Sequence, residues 1–265
     1  MNPFILIKRL IFVPKCAACE TRLSPFPDKS VATYNNVCLC NDCYKKWRET
    51  TGELCDQCAN PAHICTCTPK LLQKNFISFP SLFFYDSEAR NTQNKVIYTL
   101  KEKRNRELVN FLASELYPHV KSELDIRKAS FNSVIFTWIP RSKKSITKYG
   151  FDQGEELAYA IAKQFKTKAL PILLRLGGKE QKKLGVDERR ENLESSVTLN
   201  RNLLGFPLRE TRDDISLILE NKTVVIIDDI VTTGASMRRA IDLISSVSDC
   251  EIIVASIAKT RKQNK

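Results

Sequence analysis

Residues 223–228 read TVVIID, and Asp229 follows directly. Val and Ile run here without a polar interruption, so neither face of the strand they form can meet water. Such a run belongs to a strand covered on both sides, which in turn needs a parallel sheet with helices packed above and below. The rest of the chain supplies those parts. SVIFTWIP (133–140) is a second near-continuous apolar run, and ISFPSLFFYD (77–86), PILLRL (171–176) and CEIIVASIAKT (250–260) read as further strands. Residues 88–120 read as one helix, with Val96, Ile97, Leu100, Leu108, Phe111, Leu112 and Leu116 on its apolar side and Pro118 at its end. Helices are also expected from Asp152, a plausible N-cap, to Gln164, and over SMRRAIDLISSV (236–247). Strand alternating with helix predicts an α/β fold, doubly wound on a mostly parallel sheet. No internal repeat and no long low-complexity segment interrupts the pattern.

In a sheet of this kind ligands bind outside the carboxyl ends of the strands. Asp228 and Asp229 occupy that position. Two adjacent carboxylates are costly to bury, so they should be solvated or ligated. They only accept hydrogen bonds, which suits the vicinal hydroxyls of a ribose, and a divalent cation is a further candidate. Thr232, Thr233, Gly234, Ala235 and Ser236 then lead into the helix. Free N–H groups at a helix start, together with hydroxyls, make an anion cradle. The turn therefore offers a sugar contact beside a phosphate contact, as a sugar 5-phosphate requires. A simple strand-to-helix turn with solvated aspartates and a hydroxyl cap is the plainer alternative. No G-K-[ST] follows, so this is not a P-loop, and the G-x-G-x-x-G pattern is absent.

Nine of the ten cysteines lie between Cys16 and Cys67. Pairs of the form C-x-x-C separated by a loop of ~20 residues each give two thiolates to one tetrahedral zinc ion. The spacing assigns Cys16, Cys19, Cys40 and Cys43 to one site and Cys55, Cys58, Cys65 and Cys67 to a second. Cys38 is then spare, and His63 is a possible substitute ligand in the second site, where the Cys65-x-Cys67 pair is short. Closed four-thiolate sites are structural, and they would stabilise a segment too poor in apolar residues for a core of its own. Disulfides are the alternative, and Cys250 reads as plain core. The expected organisation is an N-terminal zinc-ribbon unit over residues 1–70 and an α/β domain over 71–265.

The chain of 265 residues carries a net charge of +12 and is 43% hydrophobic, enough for a sizeable core. The basic surplus concentrates in residues 71–150, which suggests an anionic partner. Lys101, Lys103, Arg104 and Arg106, with Lys95, are expected on one helix, where they could follow the phosphates of single-stranded DNA. A solvated helix face, paired locally with Glu102 and Glu107, is the plainer reading. The N-terminal stretch MNPFILIKRLIFVP, interrupted by Lys8 and Arg9, reads as a short core-seeking element rather than a signal peptide, and no run is long enough to span a bilayer. A cytoplasmic setting, where thiols stay reduced, is expected. His63 and His119 are the only histidines, which argues against a His-based hydrolase.

VVIIDDIVTTGAS (224–236) resembles the phosphoribosyl-pyrophosphate (PRPP) loop of the type I phosphoribosyltransferase fold. The resemblance implies that Asp228 and Asp229 hold the ribose hydroxyls, that Thr232 through Ser236 hold the 5′-phosphate, and that Mg²⁺ rides on the pyrophosphate. IPRSKKSITKYGFDQGEELA (139–158) and LRLGGKEQKKLGVDERRENL (174–193) resemble the two signatures of the ComF family, with Tyr149 and Asp152 in place of the commoner Arg and Asn. The paired cysteines resemble the double zinc ribbon at the start of ComF proteins. The chain is thereby identified as similar to the ComF family, ComFC competence type. That resemblance implies PRPP with Mg²⁺, structural Zn²⁺, single-stranded DNA handled during natural transformation, and a DNA-uptake helicase or other competence proteins as partners. An active phosphoribosyltransferase with an unknown acceptor is the alternative. Arg141, Lys143, Lys144 and Lys148, at a second strand end, would face the pyrophosphate. Residues 177–192 read either as a mobile lid or as an exposed linker, and no residue is identified as catalytic.

Overall fold

The computed structural model describes residues 10, 13–24, 38–67, 79–89, 91–175, 197–200, 203 and 213–261. The expectations for residues 177–192, and for most of the N-terminal apolar stretch, lie outside these. In chain order the elements are α1 Asn41–Thr51, β1 Ser81–Tyr85, α2 Thr92–Glu102, α3 Arg106–Ile126, β2 Val134–Trp138, α4 Lys143–Tyr149, α5 Gln153–Gln164, β3 Lys168–Ala169, β4 Leu173–Arg175, β5 Val197–Leu199, α6 Asp213–Leu219, β6 Thr223–Val231, α7 Ala235–Ser245 and β7 Glu251–Thr260.

Five strands form one sheet in the order β1-β7-β6-β2-β3, and every pairing in it is parallel. The apolar run that opens β6 behaves as its sequence requires: Val224, Val225, Ile226 and Ile227 are all fully buried. Successive side chains feed opposite layers. Val225 and Ile227 join a cluster with Leu112, Leu116, Leu157 and Ile161 of α3 and α5, whereas Val224 and Ile226 join Met237, Ile241 and Ile244 of α7. Each such side chain contributes about 1.5–3 kcal/mol by leaving water, an upper bound because the unfolded chain is itself partly collapsed.

The connectivity places a crevice. From β2 the chain passes through α5 to β3 on one side, and β6 then returns on the other side of β2. The strand order therefore reverses between β2 and β6, and the carboxyl ends of these two strands splay their loops apart.

Three expectations are corrected. Residues 88–120 are not one helix. Lys103 is extended, at φ −124° and ψ 124°, and separates α2 from α3. Asn105 then caps α3, its side chain accepting from Leu108 N at 3.0 Å. Asn favours such local bonding over helix interior geometry, and the run of charges hid that signal. Pro118 does not end the helix either, for it lies inside α3, where Val120 and Leu124 beyond it are completely buried. The packing of that last stretch outweighs the one backbone bond that proline cannot make. Finally, residues 173–175 pair antiparallel with Val197–Leu199 in a small separate sheet and do not join the main one.

The cysteine-rich segment holds two short knuckles of the same build. Cys16 N donates to Thr21 O and Cys55 N to Asn60 O, both at 2.8 Å. Glu20 and Ala59, each just after a C-x-x-C, both adopt positive φ, at 62° and 52°. This repeat escapes the sequence because only its cysteines recur. The first knuckle shares the main core: Cys16, Cys38, Leu39, Cys43 and Trp47 belong to the same apolar cluster as Phe83 and Phe111. Trp47 meets both rings edge-on with centroids 5.5 Å away.

Candidate functional site

The site lies at the carboxyl end of β6. Asp228 is half-buried and Asp229 buried. Asp228 Oδ1 accepts from Asp229 N at 2.8 Å, and Asp229 Oδ1 accepts from Ile230 N at 2.7 Å. Burial first, and the neighbouring Asp229 second, push the Asp228 carboxyl well above the usual carboxylate range, while Lys101 acts against them. The Asp228 carboxyl therefore resists ionising in the unliganded site.

Two side chains from distant segments hold Asp229 Oδ2. Gln153 Nε2, at the start of α5, donates to it at 3.0 Å, and Lys101 Nζ, in the last turn of α2, lies 3.5 Å away. Neither contact is visible in the sequence around the motif.

Beyond the carboxylates the chain turns sharply. Gly234 takes φ 84°, the left-handed region that glycine enters at no steric cost, and opens α7. Thr233 Oγ1 accepts from Ala235 N at 3.3 Å, and Thr260 Oγ1 of β7 donates to Thr232 O at 2.9 Å, anchoring the turn to its neighbouring strand. Asp228, Ile230 and Val231 through Met237 line a cavity of about 250 Å³. All five small residues predicted from the sequence, Thr232, Thr233, Gly234, Ala235 and Ser236, contribute to it, and so does Asp228; Asp229 does not. Nothing in the sequence singles out Arg175 of β4. Its Nη2 lies 3.4 Å from Ser236 Oγ, and its Nε is buried without a hydrogen-bond partner among the described residues.

The loop after β2 starts beside the end of β6, where Ile139 N donates to Ile227 O at 3.0 Å. Arg141 is held there by its surroundings. Its backbone N donates to Asp152 Oδ2 at 2.7 Å, and its guanidinium lies over the rings of Tyr149 and Phe151 at 4.5 Å and 5.6 Å. Asp152 caps α5 as expected, accepting from Gly154 N and Glu155 N. Burial raises its pKa although these N–H groups and that of Arg141 favour the charged form. Lys143 and Lys144 are exposed on the first turn of α4, and Lys148 lies over the Tyr149 ring at 4.6 Å.

The expected DNA-binding face is not one helical stripe. Lys101 turns inward to Asp229, Lys103 binds Glu20, and Arg104 binds Glu156. Lys95 on α2 and Arg106 at the start of α3 are exposed. Because α2 ends at Glu102, the five residues are shared between two helices and the link between them.

Both cysteine groups converge as the spacing predicts. Cys16, Cys19, Cys40 and Cys43 bring their sulfurs within 4.8 Å of one another, as do Cys55, Cys58, Cys65 and Cys67. The pairs Cys19–Cys40 and Cys58–Cys65 stand at 3.6 Å. That is far beyond a disulfide bond of about 2.05 Å and close to the ~3.8 Å edge of a tetrahedron with zinc–sulfur bonds of about 2.3 Å. The donor sets thus fit zinc. Cys38 stays outside them, buried in the core, where burial raises its pKa. His63 is not among the side chains that converge in the second group; its ring stacks on that of His119 with centroids 4.1 Å apart.

Residues 152–265 match the family model of the phosphoribosyl transferase domain. The chain thus carries a phosphoribosyltransferase-like domain on a mostly parallel sheet, preceded by two cysteine clusters compatible with zinc ribbons. Strands β1 and β2 precede the matched residues, yet they pair with β7 and β6 in the same sheet. No curated protein matches the chain. Among the described residues no helix is long and apolar enough to cross a membrane.

Proposed function

We propose that the chain binds PRPP with Mg²⁺ at the turn after β6. The observation that carries this reading is the junction of two recognition elements on one turn: the Asp228–Asp229 pair at a strand end and the small-residue cavity directly after it. Asp228 and Asp229 accept hydrogen bonds from the ribose hydroxyls, Thr232 through Ser236 surround the 5′-phosphate, and Arg141, Lys143 and Lys144 face the pyrophosphate. Mg²⁺, when bound, neutralises the diphosphate as charge develops on it. Arg175, with its unpartnered Nε, joins the phosphate-binding set. Thermal unfolding with increasing Mg²⁺ and PRPP tests this. Ligand at 100 times Kd should stabilise the fold by about 2.7 kcal/mol, with no rise for PRPP when Ser236→Trp blocks the cavity.

The finer reading is a protein of the ComF family, ComFC competence type, that handles single-stranded DNA in the cytoplasm during natural transformation, together with a DNA-uptake helicase or other competence proteins. It divides the chain into ribbons over 1–70 and the PRPP-binding domain over 71–265. The net charge of +12 and the exposed Lys95 and Arg106 support it. The ion pairs of Lys101, Lys103 and Arg104 work against it, because DNA phosphates would have to displace three carboxylates. DNA affinity that falls steeply with salt and ignores PRPP would mark a binding module.

An active transferase is favoured by a different observation. A cavity of about 530 Å³ lies beside the phosphate turn and shares Thr232 with it, lined by Phe84, Tyr85, Asp86, Asn91, Thr260 and Arg261 among others. Two aromatic residues and polar groups suit a planar acceptor. Pyrophosphate release that depends on an added purine or pyrimidine supports this reading.

A further inference from the structure

Lys259 is the penultimate residue of β7, and it is completely buried. A lysine ammonium is rarely enclosed without a counter-charge, because leaving water costs several kcal/mol unless a negative group compensates. The hydrogen bonds of Lys259 do not provide one. Nζ donates to Cys65 O at 2.7 Å and to Phe79 O at 3.3 Å, and it lies over the Phe79 ring at 5.0 Å. No carboxylate forms an ion pair with it among the described residues.

What stands beside it is the second cysteine group. Cys65, whose carbonyl accepts the bond, is itself one of the four converging thiols. Four thiolates around one divalent ion carry a net charge of −2, since each ligating sulfur is deprotonated. Such a centre is an anion, and Lys259 is the buried cation at its side. The first group has a different setting: it lies within the main core cluster, among Leu39 and Trp47, and Lys103 and Glu20 pair at its exposed rim.

We propose that Lys259 is the built-in counter-ion of a zinc centre formed by Cys55, Cys58, Cys65 and Cys67. The proposal rests on the reading of that group as a zinc site. It explains why a lysine occupies the inside of an otherwise apolar strand end. It also makes the second ribbon a partner of β7, a link that Arg261 reinforces by binding Asp56 at 2.9 Å and Glu53 at 2.8 Å.

The test is zinc content and chelator competition on the full chain, for the wild type, Lys259→Met and Lys259→Gln. Glutamine keeps an N–H donor for the two carbonyls and removes the charge, so it separates electrostatics from hydrogen bonding. Near-ultraviolet circular dichroism confirms that each variant is folded, and glutamine serves if methionine does not fold. The expected result is two zinc ions per wild-type chain. In both variants one of the two should pass to the chelator at roughly tenfold to hundredfold lower chelator concentration, while the other is unchanged. Wild-type retention of both ions in Lys259→Gln overturns the proposal while leaving the zinc site standing. A wild type that holds a single zinc ion, and keeps it in Cys55→Ser/Cys58→Ser, overturns the reading of the site itself, and the proposal with it.

Discussion

Asp228 shows how one carboxyl can weigh on the fold that holds it. Its folded pKa is raised, so the folded chain holds a proton that the unfolded chain releases. Stability from this group is full below the ordinary carboxylate range and is lost as pH rises through the raised value. Asp228→Asn removes that loss while keeping the oxygen that accepts from Asp229 N. We expect the unliganded variant to melt at a higher temperature than the wild type at neutral pH, by on the order of 1 kcal/mol in stability, and to have lost PRPP affinity. For the wild type, affinity should strengthen as pH rises through the same range, because the ribose hydroxyls need an ionised acceptor; calorimetry across pH reads both. The aspartates and the small residues after them were legible because they are contiguous in the chain and each residue type states its chemistry. Lys101, Gln153 and Arg175 were not, because tertiary structure alone carries them from α2, α5 and β4 to the motif. The sequence places Lys101 among the candidate DNA contacts for that reason: its charge is readable, and its direction is not.

At the scale of elements, the segment between β2 and α5, which includes α4, positions Arg141. Gly154 at the start of α5 lets the helix approach β2 closely. A Cβ there would stand 3.2 Å from Ile139 O, 3.3 Å from Asp152 Oδ1 and 3.4 Å from Trp138 Cβ. Gly154→Ala should therefore push α5 away from the loop and disturb the Asp152 bond to Arg141 N. We expect a severalfold loss of PRPP affinity with a fall of about 1 kcal/mol in stability, measured by titration and by denaturant midpoint. Gly150 offers the contrast: at φ 81° with open space around its Cβ position, its alanine variant would be strained in the backbone alone. The buried strands were legible from uninterrupted Val and Ile runs. The break between α2 and α3 was not, since the apolar spacing runs through it and a single asparagine sets the new start.

For the whole molecule, the first cysteine group and the sheet share one core through Trp47, Phe83 and Phe111. Stripping zinc should then do more than unfold a small appendage. We expect a strong chelator to lower the melting temperature of the helical signal as a whole, in one transition seen alike by far-ultraviolet circular dichroism and tryptophan fluorescence. The sequence could pair the cysteines by spacing, but it could not say what they rest on, because packing against β1 and α3 joins segments far apart in the chain. The central claim remains that the carboxylate pair and the turn after it form a PRPP site. Calorimetric titration of PRPP with Mg²⁺ into the zinc-loaded wild type and into Asp228→Ala/Asp229→Ala tests it most directly. The account predicts saturable binding by the wild type and none by the double variant. No heat of binding in a folded wild type, or equal binding by both proteins, would contradict it.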